Sequence, residues 1–346
     1  MASNLEIFEP IWKGLSPEYQ SRIPTPSQAN MAQIGVIISA DDYEPIRNEI
    51  FDKLINLIGK QKVWQMSITN PLSVFKTGQM SYGDTFQEIM SDVIEGQTFE
   101  IAEQDQFKKW KNNVYAAYHR VNREMFYPVT TELTKINRAF MREGGLQALV
   151  NSLVNQMYSS NNLDEFLYTK RLIHDYYHNV DVPLAPAQKL QVPNPGTPNA
   201  LDRNAALAFA MTVKGLVKEM AFPKTIYNPN GLMMQTQQNQ FCIMLRTEIS
   251  TVVDVNTLSQ VFHNKKVDIE IPIVEVDTFG DGMENVVGMV MDKRMLYIMD
   301  TLRTLRMADN ARNLYRNYYY HVHQLYAASP FVQCVFLEND PALITP

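Results

Sequence analysis

The feature that most constrains this chain is an aromatic run close to its C-terminus. Asn317-Tyr318-Tyr319-Tyr320-His321-Val322-His323-Gln324 is followed by Phe331-Val332-Gln333-Cys334-Val335-Phe336. Aromatic and β-branched residues at this density fit a pleated, half-buried surface, so both segments are predicted to be strands. The final part of the chain is thus expected to lie inside a sheet. Any fold for the preceding residues has to bring partners to those strands.

At 346 residues with 45% hydrophobic side chains, the chain is long enough for about two domains and apolar enough for a substantial core. Its net charge is −6, and it has no long run of Lys or Arg. Binding to nucleic acid through counterion release needs concentrated positive charge, so a basic grip on DNA is not expected. Cys242 and Cys334 each sit in an apolar run, where inert, buried free thiols usually sit. The opening residues lack the basic and apolar regions of a signal peptide, and no stretch approaches the roughly 20 apolar residues of a membrane span. The expectation is a protein of the reducing cytoplasm that makes no membrane contact.

Pro10, Pro17, Pro24 and Pro26 predict an extended arm up to about Ser39. Tyr43, Ile46, Ile50, Phe51, Leu54, Ile55 and Ile58 follow helical spacing up to Gly59. Trp64, Met66 and Ile68 alternate with polar residues and predict a strand, Lys76-Thr77-Gly78-Gln79 a turn, and Thr85 to Val93 a second strand. Residues 62–106 therefore read as a long hairpin with too few large apolar residues to build its own core. Val114 to Thr130 fits either strand or helix and is expected to end at Tyr127-Pro128, before a helix from Thr131 to Met141.

Leu146, Leu149, Val150, Leu153, Val154 and Met157 give the cleanest helical face. Leu163, Phe166, Leu167, Ile173, Tyr176 and Tyr177 continue it, as one helix or as two divided at Ser159–Asn162. The proline-rich stretch Asp181 to Pro198 is the predicted domain boundary. A helix to about Ala221 follows, then a strand at Phe241 to Leu245 and a short helix at Asn256 to Phe262. Further strands are expected around Val267–Ile273, Val286–Val290 and Met295–Met299. Helices and strands do not alternate strictly, so the class is α+β.

Chemistry-bearing patterns are weak. His174 and His178 are four apart on a helix, and His321 and His323 share one face of a strand; both spacings can ligate metal. The first pair lacks the neighbouring glutamate of a metallopeptidase, and the second lacks acidic or Cys partners, so neither is assigned as a site. Asp277, Asp281, Gly282 and Glu284 miss the spacing of an EF-hand loop. With no phosphate-binding loop and no nucleophile elbow, no catalytic, cofactor or metal residue is assigned. The 17 Tyr and 19 Met fit a subunit with adaptable apolar contact surfaces, because both residue types are enriched at interface cores.

Several of these segments, in this order, resemble one family. Val63-Trp64-Gln65-Met66-Ser67-Ile68-Thr69-Asn70-Pro71-Leu72 and Phe75-Lys76-Thr77-Gly78-Gln79 look like the extended loop of major capsid proteins of small, phi-type short-tailed bacteriophages (the Picovirinae group). Leu163-Asp164-Glu165-Phe166-Leu167-Tyr168 with Asp175-Tyr176-Tyr177 resembles that family's spine helix. Asp254-Val255-Asn256-Thr257-Leu258, Met291-Asp292-Lys293 and Asn317 to Val322 resemble its later regions. The likeness runs from about Leu54 to Leu337.

The resemblance implies an α+β fold of the Hong Kong 97 type. On that template residues 1–39 are an N-terminal arm, 40–61 a short helix, 62–106 the extended loop, 107–180 with 310–346 a peripheral domain holding the spine helix, and 181–309 an axial domain. It implies a non-enzymatic major capsid protein of the virion, made in the host cytoplasm, that assembles as hexamers and pentamers into an icosahedral shell. Scaffolding and portal proteins are its implied partners, and double-stranded DNA is enclosed without sequence-specific contacts. Trp64, Met66, Ile68, Phe75, Lys76, Gln79 and Tyr82 are the implied interface residues. The parent fold is known for a Lys–Asn cross-link; Lys76 lies in the matching loop, but no acidic catalyst is evident, so Lys76 is expected to be solvated or salt-bridged. Some relatives add an immunoglobulin-like domain after the last strand, whereas here Pro346 follows Phe336 closely. The alternatives are an encapsulin-like nanocompartment shell protein and a His-dependent metalloenzyme.

Overall fold

A computed structural model describes residues 4–39, 43, 45–46, 49–50, 53, 68–80, 83, 85–98, 109–132, 145–197, 200–201, 203–253, 271–310 and 315–339. Numbered over these residues, the elements begin with three helices, α1 (Asn4–Gly14), α2 (Pro17–Arg22) and α3 (Met31–Ser39). Strands β1 (Lys76–Gln79), β2 (Thr85–Ser91), β3 (Val114–Arg120) and β4 (Arg123–Glu132) lead to the long helix α4 (Gly145–Tyr177). Then come β5 (Lys189–Val192), β6 (Gly196–Thr197), β7 (Ala200–Leu201), α5 (Arg203–Met220), β8 (Phe241–Arg246) and α6 (Thr247–Val252). The chain continues through β9 (Ile273–Val276), β10 (Val286–Asp292), β11 (Leu296–Asn310), β12 (Tyr315–Ala328) and β13 (Cys334–Asn339). One sheet has the order β1-β11-β12-β4, a second the order β5-β13-β10-β8-β9, and β2 pairs with β3 alone.

Two compact units divide the chain. One takes Met1–Asn70, Glu124–Glu165 and Leu302–Val322; the other takes Pro71–Arg123, Phe166–Thr301 and His323–Pro346.

The first unit corrects the reading of an extended N-terminal arm. Phe8, Ile11 and Leu15 recur at helical spacing and are buried with Ile23, Met31, Ile34, Ile38, Ile46, Ile50 and Val154. Burial of that stripe outweighs the hydrogen bond lost at Pro10, which lies inside α1. Pro17 takes a first-turn position of α2, where a missing N–H costs nothing. The helix expected after Tyr43 lies mostly outside the described residues; those described at 45–46, 49–50 and 53 are helical. The Trp64–Ile68 strand, apart from Ile68, also lies outside them.

Thr131 and Glu132, expected to open a helix, instead end β4, and the rest of that predicted helix lies outside the described residues. The strand runs straight through Pro128. It is an edge strand of its sheet, where a residue without an N–H is tolerated. Tyr127 and Val129 turn inward with Leu305, Met307, Tyr318, Tyr320 and Val322 onto Met157. Tyr158 packs on Tyr320 with ring centroids 4.8 Å apart.

Helix α4 is continuous through Ser159–Asn162; at 1.5 Å per residue it spans about 50 Å. Its buried line differs from the expected stripe. Leu163 and Leu167 are exposed, while Val154, Met157, Asn161, Glu165, Thr169, Ile173 and Tyr176 are buried at three-to-four spacing. Apolar anchors at both ends set the helix's rotation, and the inward positions between them fall on polar residues. These are satisfied internally: Asn161 Nδ2 donates to Glu165 Oε1 at 2.9 Å, and Arg303 Nη2 donates to the same oxygen at 2.6 Å. At the predicted division point, Asn162 donates its side-chain amide to the Ile68 carbonyl at 2.7 Å.

In the second unit the five-stranded sheet is buried on both faces. Every residue of β10 and β13 is buried. Cys242, Met244, Met289, Met291, Cys334 and Phe336 pack on one side with Ile173 and Tyr176 of α4. Phe241, Ile243, Leu245, Val287, Val290, Val335 and Leu337 pack on the other with Phe209, Val213, Val217 and Met220 of α5. This separation follows the two-residue period of a strand, shifted within β10 by the irregularity in register between Val286 and Gly288. Met291 pairs with Cys242 on one side and Cys334 on the other, so the cysteines are two strands apart, about 9–10 Å and too far for a disulfide. Both are free, and burial pushes the Cys242 thiol up to about 12. Where β8 crosses Gly288, a Cβ would lie 2.7 Å from the Met244 carbonyl oxygen, so only glycine allows that approach.

Lys76–Gln79, expected as a turn, is strand β1, parallel to β11. Gly78, at φ 137°, takes a conformation that side chains rarely adopt, at an irregularity in the register. Thr77 restores the interrupted ladder through its hydroxyl, which donates to the Ile298 carbonyl and accepts from the Ile298 N–H.

Removing the Glu165 carboxylate tests the polar interior of α4. Glu165→Ala should lower stability by about 2 kcal/mol, because the buried Asn161 amide and the Arg303 guanidinium lose their shared acceptor. Glu165→Gln, which keeps an acceptor oxygen, should cost less. Denaturant titration checks both, and equal midpoints for parent and Glu165→Ala would refute the assignment.

Candidate intersubunit surface

Strands β2 and β3 form an antiparallel hairpin from Thr85↔Arg120 to Ser91↔Val114. The return strand is Val114–Arg120, past residue 106 where the sequence reading ended the hairpin. Alternation along β2 sends Phe86, Glu88 and Met90 to one face and Gln87 and Ile89 to the other.

The inward face has a built seat. Glu88 Oε1 accepts hydrogen bonds from Ser329 Oγ at 2.6 Å and from the Tyr297 hydroxyl at 3.3 Å. Glu88 Oε2 faces His119 Nε2 at 3.6 Å. The Phe86 ring lies 5.0 Å from that of Tyr297, and the His119 ring lies 6.2 Å from each of them. Burial, followed by the charge and hydrogen bond of Glu88, pushes the Tyr297 phenol up to about 12, against an opposing pull from Arg294.

The other face is open and mixed, with Gln87 Nε2 donating to the Tyr118 hydroxyl at 3.0 Å among exposed apolar side chains. Ile89 is 60% exposed, Tyr118 66% and Val114 59%; past the end of β2, Val93 and Ile94 are 67% exposed each. Trp110 is also exposed. Single exposed hydrophobics are ordinary, but several on one two-stranded ribbon form a surface that association would cover. Sequence reasoning missed these residues because the return strand was not placed; the alternation of Thr85–Ser91 was the available signal.

The residues expected at an interface fall in different places. Phe75 is 4% exposed and packs with Leu72 in the core of its own unit. Lys76 Nζ lies 2.9 Å from Asp300 Oδ2, matching the salt-bridged role expected of it. Ile68 and Gln79 are exposed; Trp64, Met66 and Tyr82 lie outside the described residues.

The histidine pairs serve local packing. His174 and His178 have ring centroids 4.4 Å apart, and His174 Nε2 is 3.0 Å from the Asp281 carbonyl oxygen. The acidic turn that resembled a calcium loop therefore meets the end of α4. His321 packs beside Phe126 at 5.7 Å. Among the described residues, no group of three or more His, Cys, Asp or Glu could hold a metal ion, and no helix is long and apolar enough to cross a membrane.

This combination of mixed sheets, long helix and hairpin is the fold of bacteriophage shell subunits. A chain from the capsid of Staphylococcus phage Andhra superposes with a TM-score of 0.64 at 10% identity, covering 80% of this chain and 86% of that one. A chain from the capsid of Cyanophage P-SCSP1u gives 0.53 at 10% identity over 77% and 86%. The family model for the Phi29-like phage major capsid protein matches residues 8–338, and the chain belongs to that family. The major capsid protein of Bacillus phage PZA is 26% identical across 100% of this chain and 75% of its own length. That of Streptococcus phage Cp-1 is 26% identical across 95% and 92%. These relatives are structural proteins, and neither the encapsulin nor the metalloenzyme alternative finds support among them.

The raised Tyr297 pKa makes the hairpin seat sensitive to alkali. The folded state holds this phenol proton more tightly than an unfolded chain does, so its stabilisation is intact below about pH 10 and is lost as pH rises toward 12. Urea titrations across that range should show a smaller loss for Tyr297→Phe than for the parent. Identical losses would contradict the seat described.

Proposed function

We propose that this chain self-assembles as hexamers and pentamers into the closed shell of a virion, in the Hong Kong 97 arrangement. The observation that carries the proposal is the family match over nearly the whole chain, together with a hairpin that leaves Ile89, Val114 and Tyr118 exposed. Each subunit lays this hairpin over a neighbour as its extended loop, with Ile89, Val93, Ile94, Val114 and Tyr118 as the main contacts. Exposed Ile68 and Gln79 join the contact from the segments leading into it, as do Trp64, Met66 and Tyr82. Heterologous contacts of this kind close into a shell once their curvature is fixed.

In this reading the N-terminal residues 1–39 brace the subunit, and the extended loop takes in the return strand Val114–Arg120. The five-stranded sheet with α5 and α6 forms the axial domain, and α4 is the spine of the peripheral domain. Pairing of β13 between β5 and β10 supports assigning the last strand to the axial rather than the peripheral domain. Scaffolding and portal proteins guide assembly in the host cytoplasm. The enclosed double-stranded DNA is held without a sequence-specific grip, in keeping with the net charge of −6.

The test is sedimentation and negative-stain microscopy of the chain co-expressed with a candidate scaffolding protein from the same genome. Closed shells of uniform size are expected. Ile89→Asp/Tyr118→Asp should give a folded subunit that stays small. Uniform shells from that double variant would remove the hairpin from the assembly contact, and a parent chain that never forms shells would overturn the proposal.

A further inference from the structure

The chain on either side of the hairpin is tied to one buried polar network. Before the hairpin, Lys76 on β1 pairs with Asp300 on β11 at 2.9 Å. The other Asp300 oxygen accepts from Gln324 Nε2, on β12, at 2.6 Å. Gln324 Oε1 in turn accepts from Arg123 Nη1, just beyond the hairpin's return strand, and from the Tyr326 hydroxyl at 3.1 Å. Neighbouring Asn122 exchanges two hydrogen bonds with the Tyr326 backbone, at 2.8 and 2.9 Å. The Arg123 guanidinium lies 5.0 Å over the Tyr168 ring. Arg123 is 1% exposed and Gln324 is fully buried.

The Gln324 amide cannot turn over without cost. Its N–H faces a carboxylate and its oxygen faces a guanidinium, so a flip would oppose donor to donor and acceptor to acceptor. The amide thus passes one fixed geometry from the strand preceding the hairpin to the strand following it. Such a buried network is far more than a two-stranded ribbon needs in order to form, and it constrains the ribbon's angle to the body that carries it.

We propose that Asp300 and Gln324 are the positioning residues of the hairpin, holding both of its ends in the orientation that assembly requires. The inference rests on the hairpin being an intersubunit contact. Asp300 and Gln324 need not touch the neighbour, and their effect passes through Lys76 and Arg123. Like other paired buried polar groups, they set one geometry rather than add much stability.

Hydrogen exchange on the unassembled subunit reads the network separately from assembly. Gln324→Met keeps side-chain length without the amide, and Lys76→Met breaks the more accessible end of the chain of contacts in case the first variant fails to fold. In either variant, protection across Thr85–Ser91 and Val114–Arg120 should fall about tenfold or more. Protection of Phe241–Arg246 and Val286–Asp292 should stay at the parent level, and co-expression with scaffolding protein should give misshapen or no shells. Parent-level hairpin protection in both variants would overturn the positioning role and leave the proposed function standing. An equal loss throughout the five-stranded sheet would show that the residues serve general stability instead. A loosened hairpin with normal shells would refute the hairpin contact, and the positioning role with it.

Discussion

Two-sided burial of the strand Val286–Asp292 is the constraint on which the hairpin-bearing unit depends. A strand with both faces covered must carry apolar residues at consecutive positions and have layers ready on either side. Here the layers are α5 on one face and the end of α4 on the other, and the flanking strands come from distant parts of the chain. Gly288 leaves room for the Met244 carbonyl, which a Cβ would meet at 2.7 Å, and Met289 and Met291 fill space around both cysteines. The result is a compact unit whose five-stranded sheet is built from long-range pairings. A rigid body is what an assembly contact needs behind it, since a loosely seated hairpin would spread its contacts over many angles and lose the entropy of ordering each time it docked.

The hairpin shows how a small ribbon becomes a defined contact element. Two strands alone are marginal in water. This pair is held along one face by Glu88, Ser329, Tyr297 and Phe86, and held at its ends through Lys76 and Arg123. Its other face leaves Ile89, Val114 and Tyr118 exposed. That division of roles explains why Phe75, next to Lys76 in sequence, packs into the core while Ile89 and Tyr118 do not.

Much of this was legible in the residues, and the failures have physical causes. Apolar and aromatic runs located Phe241–Arg246, Val286–Asp292 and the C-terminal strands, because two-sided and one-sided burial both leave a strong local pattern. The strand from Leu296 was expected to stop near Met299, yet it runs to Asn310. Residues such as Arg303, Arg306 and Asp309 carry little strand preference, and it is pairing with Tyr315–Ala328 that extends it. Along α4 the apolar stripe pointed to Leu163 and Leu167, but rotation of a 33-residue helix is set by its ends, and Glu165 could be turned inward once Arg303 reached it. Prolines misled at the N-terminus because their cost is local while the gain from burying Phe8 and Ile11 is tertiary. The network joining Lys76, Asp300, Gln324 and Arg123 could not be read at all, since nothing local links positions separated by more than 200 residues.

The most direct test of the central claim is a reconstruction of the assembled shell by electron cryomicroscopy, at a resolution that shows side chains. The account predicts that Ile89, Val93, Ile94, Val114 and Tyr118 of each subunit lie against an adjacent copy, with Glu88 still seated on Ser329 and Tyr297 of its own chain. A shell in which those five side chains face solvent in every copy would contradict it.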